Sequence, residues 1–130
     1  MKQKRYQAIA SLLQAVDNCE RANPPNVEWR DKHLDKLVAL ATDCVRGSGF
    51  DGGAGLDLDK STPNKLVFQT SFHHMNEGGF YTGWTKHTVT VRPTIQEPGY
   101  ALTVSGRDKN DIKEHIAEVF SAVLEEEVAR

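Results

Sequence analysis

The chain has 130 residues, 38% of them hydrophobic and 26% charged, with a formal net charge of −2. That length supports one domain with a real core but not two, and a pI near 6.2 excludes the broad basic excess of a protein that coats nucleic-acid polymers. No apolar run approaches a membrane span, and "MKQKRYQAIASLLQ" at the N-terminus interrupts its apolar residues with Gln and Ser, so it lacks the core of a signal peptide. The two cysteines, Cys19 and Cys44, lack metal-type spacing and are expected to be reduced, packed thiols of a cytosolic protein.

Residues 3–21 place Ile9, Leu12, Leu13, Val16 and Cys19 at the spacing of one helix face. "NPPN" at 23–26 ends that helix, because two prolines cannot continue it. A second helix is expected from about Glu28 to Arg46, with Trp29, His33, Leu37, Leu40, Ala41 and Cys44 on one face. Residues 1–47 therefore read as a helical hairpin. "GSGFDGGAG" stops the second helix; it lacks the Lys-Ser/Thr ending of a phosphate-gripping loop, so residues 48–64 read as a Gly-rich connector.

The middle of the chain alternates. Leu66, Phe68, Thr70 and Phe72 face away from Val67, Gln69, Ser71 and His73, and His87, Val89 and Val91 away from Thr88, Thr90 and Arg92. Tyr100, Leu102 and Val104 share one face of a third run. Short connections imply an antiparallel meander of three or four strands. A last helix is expected from about Asp108 to Val128, its stripe of Ile112, Ile116, Val119, Phe120, Val123, Leu124 and Val128 covering one sheet face. The whole is a single α+β domain over 1–130, with sheet and C-terminal helix in 65–130. The other sheet face is Thr-rich and polar: solvated, a subunit contact, or a binding surface.

No catalytic constellation stands out. His73 and His74 are adjacent on a strand and point to opposite faces, and neither HExxH nor a Cys/His cluster occurs, so no metal site is expected. No cofactor is expected. Asp57 and Asp59 share one side of an extended segment, the one place where Mg²⁺ with His73 would make a nucleotide hydrolase; two loop carboxylates are more often simply solvated.

"SGRDKNDIKEHI", 105–116, is the better candidate. It puts Arg107, Lys109, Asn110 and Lys113 around a helix entrance, where backbone N–H groups favour an anion. Gly106 suits a tight or left-handed turn, and Asp108 a helix cap. Arg107 offers a fork for phosphate oxygens, Asn110 a donor and acceptor for a base edge or ribose, and Tyr100 a face for stacking. An ordinary capped helix with solvated charges accounts for the same residues.

Three runs carry a family likeness: "LDLDKSTPNKLVFQTSFHHMN", "GGFYTGWTKHTVTVRP" and "GYALTVSGRDKNDIKEHIAEVF". They resemble the first phage Thoeris anti-defence family over about residues 48–125. The resemblance implies a non-catalytic sponge, acting in the host bacterial cytoplasm, that holds a cyclic ADP-ribose isomer away from its effector. It implies a dimer or larger homo-oligomer with the pocket between subunits, and a separate site for cyclic oligonucleotides in some members. An aromatic after glycine and an Asn ten residues later contact the family's ligand; here these are Tyr100 and Asn110. An arginine that the family can place at the end of the first long strand falls near His74, so Arg107 or Arg92 would serve the phosphates instead. The rivals are the Asp57/Asp59/His73 hydrolase and a phage interaction module using the Thr-rich face.

Overall fold

In the computed structural model the chain runs β1 (Lys2–Lys4), α1 (Arg5–Arg21), α2 (Val27–Ser48), β2 (Gly55–Leu56), β3 (Leu66–Met75), β4 (Tyr81–Pro93), β5 (Tyr100–Ser105), α3 (Asn110–Glu125) and β6 (Glu127–Ala129). The structure describes residues 2–48, 55–107 and 110–129; side chains 43–48, 71–75, 81, 82, 84, 110 and 111 are outside the description. Residues 49–54 of the glycine-rich connector thus lie outside the described residues, as do Asp108 and Lys109.

The α+β class is as expected: a helical hairpin, an antiparallel sheet of order β2-β3-β4-β5, and a C-terminal helix. The register of β3 on β4 sets Leu66 opposite Val91, Phe68 opposite Val89 and Thr70 opposite His87. β5 continues these rows with Leu102 beside Val91 and Val104 beside Val89. Directly opposed residues share a face, so one face is a block of Leu, Phe and Val. Onto it pack Ile116, Phe120, Val123 and Leu124 of α3, Leu37 and Ala41 of α2, and Tyr6, Ile9 and Leu13 of α1. Phe68 and Phe120 meet with ring centroids 5.5 Å apart, tilted by 58°. Burying side chains of this size stabilises the fold by about 1.5–3 kcal/mol each.

The hairpin turns where the prolines require it. The Asn26 side-chain oxygen accepts the Trp29 N–H at 3.3 Å, capping α2. Trp29 does not join the packed face, however: it is 52% exposed, lying on α2 before Leu34, which packs against the core. It stacks instead on His33, with Lys32 Nζ 4.7 Å from its ring centre.

Three features depart from the expected elements. Residues 2–4 and 127–129 are not helix ends but a two-stranded antiparallel ribbon that ties the termini together. The Arg5 N–H donates to the Glu126 carbonyl at 2.8 Å, so an orphan donor at the start of α1 is met by the ribbon. Lys4–Glu125 (3.0 Å) and Arg5–Glu126 (2.9 Å) ion pairs flank it. Second, the connector contains β2, which pairs with β3 at Gln69 and Phe68. Third, part of the polar sheet face is covered. The turn after β2 folds against it, with Val67 N donating to Ser61 Oγ at 3.0 Å and Asp57 N to the Val67 carbonyl at 2.7 Å, and Val67 is buried.

Candidate functional site

The β5–α3 junction begins with a close approach. A Cβ on Gly106 would fall 2.4 Å from Cδ2 of His87, so only glycine lets the chain cross the buried His87 ring. Gly106 has no left-handed backbone; close packing, not a positive φ, is why glycine stands there. Arg107 follows and is exposed, and α3 starts at Asn110. The junction therefore presents a guanidinium to solvent just ahead of a helix N-terminus, whose first N–H groups have no intrahelical partner.

Tyr100 stands at the other end of β5, and it is not an open platform. The residue is 5% exposed and belongs to the hydrophobic core. Its ring lies against Tyr6 with centroids 5.0 Å apart, and its hydroxyl meets Ser121 through Oγ (3.0 Å) and the carbonyl oxygen (3.2 Å). Burial raises its pKa above the ordinary tyrosine value. The expectation that Tyr100 offers an open face for stacking is therefore corrected for the single chain. The pleat turns it inward with Pro93 opposite, into space left by Tyr6.

The geometry also separates Tyr100 from Asn110. β5 spans six residues, and α3 returns along it so that Ser121 touches Tyr100. Asn110 is eleven residues before Ser121 on that helix, about 17 Å at 1.5 Å per residue. Within one chain the two cannot touch the same adenine ring.

The remaining candidates are spread along the sheet. Arg92 is exposed, opposite Ala101 on the outer face and near the Tyr100 end. His74 pairs with Gly83 at the far end of the β3–β4 hairpin, nine residues along β4 from Arg92, or roughly 30 Å. Its side chain, like that of Asn110, is outside the description, and Lys109 lies outside the described residues altogether.

Asp57 has a local role. One carboxylate oxygen accepts the Lys60 N–H at 3.2 Å, and the other accepts from Gln69 Nε2 at 3.3 Å. Gln69 in turn accepts from Thr88 Oγ1 at 2.9 Å, a polar ladder across the outer face. Asp59 is exposed, and among the described residues no group of three or more His, Cys, Asp or Glu is arranged to hold a metal.

Spacing did not reveal the Tyr6–Tyr100 stack or the passage of Gly106 over His87. Both join residues far apart in sequence, and the only hint was alternation that placed His87 and Tyr100 on the apolar rows. Comparison with protein-family models, curated proteins and solved structures returned no match to this chain. What stands on its own is the architecture: helices packed on one face of a four-stranded antiparallel sheet, with Arg107 exposed between β5 and α3.

Proposed function

We propose that this protein is a non-catalytic sponge that binds a cyclic ADP-ribose isomer, shields it from its receptor and releases it unchanged. The observation that carries the reading is the β5–α3 junction. Gly106 is pinned against His87, Arg107 is exposed, and the N-terminus of α3 opens at Asn110. A guanidinium beside the positive end of a helix matches a pyrophosphate, and the likeness of 99–120 to the anti-defence family supports the same assignment.

The working unit is at least a dimer. Tyr100 and Asn110 lie too far apart in one chain to share a base, so the proposed pocket takes the aromatic from one copy and the amide from the other. That arrangement requires the Tyr100 ring, enclosed by Tyr6 in the single chain, to be uncovered on assembly or binding. Arg107, with Arg92 or Lys109, supplies the positive charge.

The test is calorimetric titration with individual cyclic ADP-ribose isomers, alongside linear ADP-ribose and AMP. Saturable binding of a cyclic isomer, with linear ADP-ribose at least tenfold weaker, is expected. Absence of binding to every nucleotide would favour an interaction module using the Thr-rich face.

A further inference from the structure

The helical hairpin holds a cleft that the proposed function does not use. It has a volume of about 520 Å³ and lies between α1, α2 and the terminal ribbon. Its wall is apolar and made mostly of small residues: Ala8, Leu12 and Ala15 from α1, Ala39 and Leu40 from α2. Small side chains on two adjacent helices leave a concavity because neither fills the space between them. The volume lies within the range of small-molecule pockets, roughly 300–1,000 Å³.

Among the described residues the charge of the lining is one-sided. His33 and Lys36 are its ionisable members, and the remaining polar groups, Gln3 and Ser11, are neutral. Among the described residues no carboxylate lines it. Lys36 is exposed and, among the described residues, makes no ion pair, whereas Lys32 one turn earlier is held by Glu28 at 3.4 Å and by the Trp29 ring. Lys36 is thus the cation left to the cleft among the described residues, carried on a flexible stem in its lining. An apolar wall with a single ammonium at its rim complements a ligand with an apolar body and one negative head.

We infer that the α1–α2 cleft is a binding site for a small amphipathic carboxylate, its acyl chain or ring lying on Ala8, Leu12, Ala15 and Leu40 and its head on Lys36. Apolar burial supplies the attraction, and the charge-assisted hydrogen bond to Lys36 sets orientation and selects carboxylate over amine. The site is distant in the fold from the β5–α3 junction and stands or falls independently of the nucleotide reading.

Decanoate is the probe, titrated by calorimetry into the full chain, with decyltrimethylammonium as the control of opposite charge. Saturable one-to-one binding of decanoate, no saturable binding of the cation, and a loss on the order of tenfold in Lys36→Gln are expected. Ala39→Phe, at an exposed position, should fill the mouth and abolish binding while leaving the circular dichroism spectrum unchanged. Equal binding of both amphiphiles, unaltered affinity in Lys36→Gln, or no saturable binding overturns the inference. So does sedimentation showing a dimer that Ala39→Phe dissociates, which would mean that a second copy fills the cleft.

Discussion

The Tyr100 hydroxyl lies 3.0 Å from Ser121 Oγ, tying the start of β5 to the C-terminal half of α3. This contact fixes how strand and helix lie along each other, and so places Asn110 at the opposite end of the pair. Tyr100 is first a structural post, whatever it does for a ligand.

Substitution at Tyr100 must therefore be read with its effect on folding. Tyr100→Phe is predicted to lose about 0.5–1.5 kcal/mol with the Ser121 hydrogen bonds. Tyr100→Ala, which empties a core site beside Tyr6, should lose about 3–5 kcal/mol. Urea denaturation followed by circular dichroism measures both. A loss below about 1 kcal/mol in Tyr100→Ala would show that the ring is not part of the core. Tyr100→Leu keeps most of the apolar volume but removes the stacking face, so a tenfold or greater loss of nucleotide affinity in a folded Tyr100→Leu protein is expected.

Gly106→Ala tests the junction. The new methyl would overlap the His87 ring, which is buried and cannot swing freely. Overpacking of this kind costs about 1–3 kcal/mol, and the same shift should displace Arg107 and weaken nucleotide binding. A Gly106→Ala protein with unchanged urea midpoint would contradict the close approach.

How much of this was legible in the sequence depends on range. The apolar rows Leu66–Phe68 and Val89–Val91 follow from period-two alternation, and the stripe of α3 from 3.6-residue spacing, because each pattern is local. The ribbon of residues 2–4 with 127–129 was not legible: three residues carry no strand signal, and Val128 fits the helical stripe equally well. Trp29 was misplaced because periodicity gives a helix face but not where along the helix the partner begins. The candidate residues at 100–110 could be named from the sequence, but not their separation, which only the antiparallel return of α3 along β5 reveals.

Thr70 offers a cleaner stability test. It is 1% exposed, and its hydroxyl has no hydrogen-bond partner among the described residues, in the same sheet row as Leu66 and Phe68. A buried hydroxyl left unpaired is unfavourable by about 1–3 kcal/mol. Thr70→Val, of nearly equal shape, is predicted to be neutral or to raise the melting temperature. A fall of several degrees in differential scanning calorimetry would mean that the hydroxyl has a partner.

The terminal clasp should respond to pH. The hydrogen bond from Lys4 lowers the Glu125 pKa below the usual carboxylate value, and Glu125 raises that of Lys4. A depressed carboxylate gives stability that is present above its unfolded value and lost as pH falls through the folded one. A raised lysine gives stability that is present below its unfolded value and lost as pH rises through the folded one. The contribution is thus largest across neutral pH and declines in acid and in strong alkali. Glu125→Gln should show a shallower acid decline than the unaltered protein, and added salt should shrink the difference, since both side chains are about one-third exposed (34% and 35%). Identical acid profiles would mean that the pair does not contribute.

At the proposed nucleotide site, Asn110→Ala should leave a ligand group unpaired, weakening binding by roughly 1–3 kcal/mol, or about tenfold or more. Arg107→Ala should weaken it by a similar factor and reduce its salt dependence. Mixing Tyr100→Leu with Asn110→Ala chains tests the two-copy pocket. If one site draws on both copies, mixed dimers recover one intact pocket, and calorimetry should find a fraction of wild-type sites. No recovery would place both contacts in one chain or outside the pocket.

The central claim is that the protein holds its ligand without altering it, and mass spectrometry of the recovered ligand tests this most directly. A cyclic ADP-ribose isomer is incubated with the protein for hours, the complex is separated from free ligand, and the protein is then denatured. The account predicts that the mass and retention of the released ligand are those of the starting isomer, in an amount equal to the occupied sites. Linear ADP-ribose or AMP above the level of a protein-free control would contradict it and identify the protein as a hydrolase.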